Sequence, residues 1–320
     1  MSKHALTFEA ELAKLNAPAW EEQLEVLGEE HGYFEPLGAD HMVVFLDAGP
    51  KLLVTFETAV NIRKNNTDGA PLGFRFAQED GWSTLSIIAR DESWFRDPAI
   101  YGYIDRLVDD GFFEDFDNVV FHGSHSGAYA AAAYSVAAPG CTVLAYCPQA
   151  TLDPRIAGFD GRYLEQRRAD FSSRYGYAPD MIDATDHTFI VFDPSQRFDA
   201  IHAALFTREN VTKLRCPNMG GRLDALFDAM GIGDDLLRAV MDGQLNRLTF
   251  AKMIRARRTQ KGYLRSLYKK AFQTGHPVMA ANACAYGLRL GDDPFFEDRL
   301  RELEAEGARP TTSIIRKAAE

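Results

Sequence analysis

The chain of 320 residues is long enough for one large α/β domain, with or without an appendage, and for a sizeable buried core. Its 46% hydrophobic and 25% charged residues are typical of a soluble globular protein. A net charge of −11 argues against nucleic-acid binding, because a phosphate backbone requires a basic face. No run of about 18 apolar residues predicts a membrane span, and the N-terminus lacks the continuous apolar segment of a secretory signal.

Four cysteines are spread along the chain, at positions 141, 147, 216 and 284. Their spacing matches neither a metal-binding pair nor a dense disulfide framework, so we expect reduced thiols in a cytoplasmic protein. The sequence also lacks a phosphate-binding P-loop, a GxGxxG segment after a first strand, and HExxH. We therefore predict no cofactor and no metal.

Short apolar runs alternate with helical patterns over the first 245 residues. The predicted strands are 32–37, 41–46, 51–58, 82–89, 118–123, 141–147, 187–193 and a weaker one at 210–216. Helices are predicted at 18–31, 99–110 and 127–137, and the polar stretch containing Asn65 and Gly69 is predicted as a loop. This alternation predicts an α/β fold with a mainly parallel sheet and right-handed crossovers.

Residues 246–320 differ from residues 1–245, because their pattern is helical and partly basic, which predicts a C-terminal appendage of about three helices. Eight cations are uninterrupted by acidic residues, at positions 252, 255, 257, 258, 261, 265, 269 and 270. They either dock an anionic glycan, phosphate or acidic partner, or form a solvated face that packs on the acidic main domain. An apolar stripe that includes Phe250, Tyr263 and Phe272 needs cover, so we expect contact with the main domain or a homodimer.

The segment VVFHGSHSGAYAAAA carries the strongest local signal. A predicted strand runs into a small-x-x-x-small turn, GSHSG, and then into an alanine-rich helix. In such an elbow the glycines permit a tight turn, and the central residue is strained so that its side chain enters a pocket. Here Gly123 and Gly127 are the small residues, and His125 stands at the centre between Ser124 and Ser126.

Three segments resemble a family of bacterial α/β-hydrolase-like proteins, some of them associated with surface glycans and accessory secretion, whose elbow reads YGSSMGGYAA. These segments are DESWF at 91–95, the elbow HGSHSGAYAAAAYS, and YCPQATLDPR at 146–155, within a resemblance that runs from about 51 to 237. The resemblance implies an α/β-hydrolase fold with an elbow nucleophile, an acid after a later strand, and a histidine after the last strand.

Carried onto this chain, those positions are His125 for the nucleophile, Asp193 for the acid, and Gly221 or Arg222 for the base. Two of the three therefore depart from the family pattern. Asp193 is either a surviving acid, which would orient the imidazole of His125, or a residue that begins a turn. Arg222 is either a cation for an anionic ligand or a surface residue at a helix start.

The remaining candidates concern the pocket. The backbone N–H of Ser126 lies where an oxyanion hole would take a donor, whereas the side chains of Ser124 and Ser126 are poor replacements for a central nucleophile. Glu57 stands where the loop after the third strand often adds a second donor, or is a plain polar loop residue. Cys147 is either at the ligand edge of the sheet or a buried structural thiol.

Two functions follow from these residues. The first is a catalytically degenerate hydrolase-fold protein that serves as a binding or partner subunit for a small molecule or glycan, with a link to surface-polysaccharide metabolism that only the resemblance implies. The second is a hydrolase or acyl transferase whose unusual chemistry is centred on His125. Whether the protein is an enzyme stays open at this point.

Overall fold

A computed structural model describes residues 6–7 and 11–311 of the chain. Its strands form one eight-stranded sheet in the order β1-β2-β4-β3-β5-β6-β7-β8. The strands are β1 (Gly32–Leu37), β2 (His41–Leu46), β3 (Lys51–Thr58), β4 (Ser83–Ala89), β5 (Asn118–Ser124), β6 (Thr142–Tyr146), β7 (His187–Phe192) and β8 (Val211–Arg215).

The six strands β4, β3, β5, β6, β7 and β8, in their order across the sheet, are parallel to one another. β2 is antiparallel to both of its neighbours, β1 and β4. β5 lies inside the sheet between β3 and β6, so the residues that follow it emerge at the common carboxyl edge of the parallel strands. This strand order, with a strained turn between β5 and the next helix, is that of the α/β-hydrolase fold. The predicted fold class is confirmed.

The helices cover both faces of the sheet and continue beyond it. They are α1 (Ala17–His31), α2 (Ala59–Asn65), α3 (Leu72–Glu79), α4 (Pro98–Asp109), α5 (Ser126–Tyr134), α6 (Pro154–Ala157), α7 (Ala178–Met181), α8 (Arg197–Leu205), α9 (Leu223–Ala229), α10 (Gly233–Met241), α11 (Arg247–Met253), α12 (Lys261–Gln273), α13 (Pro277–Leu288) and α14 (Pro294–Ala305). None of the described helices is both long and apolar enough to cross a membrane.

The segment that we predicted as a polar loop is bracketed by two helices, α2 and α3. The side chain of Thr58 caps α2 by accepting from the N–H of Asn61, and Phe74 and Phe76 anchor α3 in the core. The predicted loop is present but short. The sequence did not predict α2, because this helix is largely polar and is held by its cap and one buried side chain, Ile62.

Two hydrophobic clusters occupy the two faces of the central sheet. All nine residues of α5 are buried, because its alanines allow the helix to approach the sheet closely. On the opposite face, α9 to α14 share one cluster with Leu53, Leu144 and Tyr146 of the strands. The C-terminal helices thus pack on the same core as the sheet, whereas the proposed division between 1–245 and 246–320 stays a prediction.

The basic C-terminal stretch is divided between two helices, α11 and α12. A 3-10 segment, Ile254–Thr259, follows α11, and the extended Gln260 separates it from α12. Lys261 and Arg265 pair with Asp293 just before α14, so their ion pairs lie within the C-terminal helices and not with the main domain. The apolar stripe is largely covered by the chain itself, although Phe272 stays 54% exposed.

Candidate functional site

The elbow has the strained geometry that the sequence predicts. His125 stands between the end of β5 and the start of α5 with φ 54° and ψ −114°, and its N–H donates to the carbonyl of Tyr146 at 2.9 Å. A Cβ at Gly123 would lie 2.3 Å from the carbonyl of Gly127, and one at Gly127 would lie 2.2 Å from the oxygen of Phe56. Only glycine fits at either position, so the turn is as tight as the motif requires.

The imidazole of His125 is isolated. The ring is partly exposed, and its Nδ1 is buried without a hydrogen-bond partner among the described residues. No hydrogen bond or ion pair joins it to Asp193 within that part of the chain. The contact of the first alternative, in which Asp193 orients the imidazole of His125, is therefore not formed among the described residues.

Asp193 instead holds the loop that follows β8. Its carboxylate is fully buried and accepts from the N–H and hydroxyl of Ser195 at 2.8 and 2.7 Å. It also accepts from the N–H of Asn218 at 3.1 Å and from that of Gly220 at 2.7 Å. These bonds compensate for burial of the charge, so Asp193 organises the turn at which a hydrolase would carry its catalytic histidine.

No imidazole stands at the base position. A Cβ at Gly221 would have one close neighbour, Oδ2 of Asp199, at 3.6 Å. Arg222 precedes α9 and is 67% exposed, with its Nε 3.8 Å from Asp224, which is a weak surface pair. Of the two alternatives for Arg222, the structure places it at the surface, at the start of a helix. The carboxylate nearest to the base position is Asp199, which the sequence analysis missed.

Asp199 belongs to a buried polar network of four residues. Arg162 donates to Asp199 Oδ1 and to Asp160 Oδ2, both at 2.7 Å. His202 lies 3.2 Å from Asp160 through Nε2 and accepts the N–H of Ala150 at Nδ1, which assigns the ring proton to Nε2. Burial lowers the pKa of His202, although the negative charge of Asp160 acts to raise it, so the ring is neutral near pH 7. In the sequence, the one sign of this network is the spacing of Asp199 and His202, which are three residues apart and therefore share a helix face.

A cavity of about 140 Å³ opens on the other side of the elbow. Its walls are the carboxyl end of β3, the helix α2, the elbow residues on either side of His125, Tyr146, and the helices α9 and α10. Ser124, Ser126 and Glu57 line this cavity, whereas His125, Asp193 and Arg222 do not. We expected the central elbow residue to face the pocket, but its neighbours do so instead.

Glu57 lies within β3, one residue before its end, as the predicted strand 51–58 requires. The hydroxyl of Thr55 donates to its Oε1 at 2.9 Å, and the N–H of Leu72 donates to both carboxylate oxygens at 3.1 and 3.2 Å. The side chain is partly exposed to the cavity, yet its surroundings are mostly protein. Burial raises the pKa of Glu57 to about 7, so the carboxyl exchanges its proton near neutral pH.

His122 and Tyr146 form the wall between the sheet and α9. Nδ1 of His122 lies 2.8 Å from the carbonyl oxygen of Leu144, and burial lowers the pKa of the ring to about 4. The proton therefore sits on Nδ1, and Nε2 is an acceptor. The ring of Tyr146 meets that of His122 edge to face at 4.8 Å. Cys147, the next residue, is buried, and burial raises the pKa of its thiol well above the usual range, as in a structural cysteine.

No protein-family model matches the chain, and no curated protein matches it. Similar solved structures include the capsule O-acetyltransferase of Neisseria meningitidis serogroup A, at TM-score 0.43 and 12% identity over 65% of this chain and 93% of the other. They also include an HSL homologue from a metagenome library (0.45, 13%, 75% and 94%) and a hyperthermophilic esterase from Pyrobaculum calidifontis (0.41, 12%, 79% and 94%). Likeness at such identities concerns the fold alone, and the α/β-hydrolase fold stands on the strand order and elbow described above.

Proposed function

We propose that this protein is a catalytically degenerate α/β-hydrolase-fold protein that binds a small ligand beside the elbow. The bonding of Asp193 carries the proposal. Its carboxylate oxygens are occupied by three backbone N–H groups and one hydroxyl, and the neighbouring base position holds no side chain that can take a proton near pH 7. A serine-hydrolase relay has neither its nucleophile nor its base here.

The size of the catalytic deficit follows from this loss. General-base assistance contributes about 10²–10⁴ in rate, and the members of a triad act as a unit. What the elbow retains is the pair of N–H groups at the start of α5, on Ser126 and Gly127, which have no acceptor among the described residues. Such donors fit the binding of a carbonyl or carboxyl oxygen as well as they fit catalysis.

The test is ester turnover by the purified protein and by its His125→Ala variant. A panel of p-nitrophenyl esters from acetate to octanoate covers the acyl sizes that hydrolase-fold enzymes accept. We expect no difference between the two proteins, because His125 has no partner that would activate it. Lys269→Ala, on the exposed face of α12, is the matched control for purity and folding. Turnover that is present in the wild type and the control but lost in His125→Ala would overturn the proposal.

A second candidate, a hydrolase or acyl transferase that uses His125 itself, is favoured by the retained strain at the elbow. In this reaction the unprotonated ring nitrogen attacks the acyl carbon, and the departing ester alkoxide takes the proton that the other ring nitrogen releases. Water or an acceptor alcohol then takes the acyl group, and its proton returns to the imidazole. Intact-protein mass spectrometry during ester exposure distinguishes the candidates. An acyl adduct that is absent from His125→Ala supports the enzyme, whereas an unmodified mass supports the binding protein.

The link to surface polysaccharide stays a prediction that the elbow resemblance alone implies. A glycan large enough to exceed the cavity would have to enter it by one end. Equilibrium dialysis with labelled, O-acetylated oligosaccharides would measure such binding, and retention no greater than for a protein of similar charge would contradict it.

A further inference from the structure

The cavity beside the elbow is strongly acidic. Four carboxyl groups line it, contributed by Glu57, Asp224, Asp228 and Asp234, and no lysine or arginine is among its lining residues. Arg75 reaches it from α3 but is engaged by Asp234 at 3.2 Å. Burial raises the pKa of Asp228 and of Asp234, although the charge of Arg75 acts to lower both.

An unpartnered hydroxyl supplies the second observation. Tyr146 is 3% exposed and lines the cavity, and its hydroxyl has no hydrogen-bond partner among the described residues. Burial raises the pKa of this phenol well above its usual range, and Asp228 and Asp224 on α9 act in the same direction. A buried hydroxyl without a partner costs free energy, which a ligand or water that bonds to it recovers.

The cavity offers donors as well as acceptors, because the side-chain amides of Asn61, Asn65 and Asn66 and the N–H groups of Ser126 and Gly127 belong to its lining. Nε2 of His122 has no proton in the tautomer that its contact with Leu144 imposes. Oδ1 of Asp224 accepts no hydrogen bond among the described residues, although Nε of Arg222 lies 3.8 Å away. Oγ of Ser124 is buried without a partner in that part of the chain. The four carboxyl groups and these acceptors match a ligand that brings several donors and a positive charge, and an ammonium group has three donors and no acceptor.

The volume sets the size of this ligand. A cavity of about 150 Å³ holds a benzene-sized molecule, so about 140 Å³ accommodates roughly six non-hydrogen atoms and is far larger than a bare ion needs. We propose that the cavity binds a compact primary amine in its protonated form, with the ammonium group between Glu57, Asp224 and the hydroxyl of Tyr146. This inference rests on the proposed binding function and names the ligand class of the same site.

Two isosteric probes test the charge requirement on the wild-type protein. Ethanolamine carries the ammonium group at neutral pH, and ethylene glycol replaces it with a neutral hydroxyl of the same size. We expect calorimetry at pH 8 to give one ethanolamine per chain and at least about tenfold weaker binding of ethylene glycol, because hydrogen bonds to charged groups are the stronger ones. Equal affinities, or no ethanolamine binding up to about 10 mM, would overturn the inference. Calcium binding in preference to ethanolamine would also overturn it.

Variants locate the binding. Glu57→Gln keeps the shape and should weaken ethanolamine binding about tenfold, and Tyr146→Phe should weaken it by about two- to tenfold. Asp235→Asn is the matched control, because Asp235 lies on α10 with a side chain 62% exposed and outside the cavity, and it should leave affinity unchanged. Wild-type affinity in both cavity variants would refute this site. If either variant fails to fold, the wild-type protein is titrated with ethanolamine and the NMR signals of Tyr146 are followed. Shifts of these signals support the site, and unchanged signals refute it.

The two proposals fail separately. Ester turnover that depends on His125 would refute the proposal of a binding protein, but it would not change the charge selectivity of the cavity. Equal binding of ethanolamine and ethylene glycol would refute the amine proposal, but it would not change the result of the turnover assay.

Discussion

Strain at the elbow can be measured by replacing His125 with glycine and with alanine. Its ψ of −114° lies outside the left-handed helical region that an L residue tolerates at positive φ, and such conformations cost about 1–3 kcal/mol. Alanine removes the ring and keeps the Cβ that causes the strain, whereas glycine removes both. Glycine also costs about 0.5–1 kcal/mol relative to alanine through the unfolded chain. When this cost of glycine is subtracted from the strain that glycine relieves, the glycine variant should be about 0 to 2.5 kcal/mol more stable than the alanine variant.

The assay is urea unfolding of both variants, with the same pair of substitutions at Lys269 as the control. Lys269 lies on the exposed face of α12 in regular helix, where alanine should be about 1 kcal/mol more stable than glycine. The order of the two variants should thus reverse between the two positions. If glycine is less stable than alanine at position 125 by the same margin as at 269, the elbow is not strained and the reasoning is wrong.

Three further predictions follow from the same contacts. His125→Ser alone should show no useful esterase activity, while His125→Ser with Gly221→His should gain up to about 10²-fold in p-nitrophenyl acetate hydrolysis; strong turnover by the single variant would reveal an unidentified base. Gly127→Ala should lower the free energy of unfolding by at least about 2 kcal/mol in urea, because its Cβ would lie 2.2 Å from the oxygen of Phe56, and a neutral effect would contradict that approach. Glu57 has a pKa raised from 4.5 to about 7, so the folded protein binds more protons between these values and its stability should fall as pH rises through them. Glu57→Gln should flatten this dependence in thermal unfolding measured from pH 5 to 8, and an unchanged slope would show that other groups cause it.

Local pattern was enough to predict the strands and the elbow. The six inner strands are short apolar runs that are largely buried, while β1 and β8 at the sheet edges are partly exposed. The elbow GSHSG is recognised within five residues, because tight turns depend on the residues that form them. The strain predicted for the central residue of the same motif is seen as the positive φ of His125. The four buried, unpaired cysteines also agree with the expectation of reduced thiols.

The composition of the site was decided by the tertiary structure. Asp193 was the natural candidate for an acid from its place after β7, yet Asp199, six residues later, lies next to the base position. Likewise Glu57 and Asp224 line one cavity although 167 positions separate them in the numbering of the chain. Which side chains meet there depends on how α8, α9 and α10 pack across the sheet. Those packing angles arise from contacts between distant segments, and no local pattern of residue types encodes them.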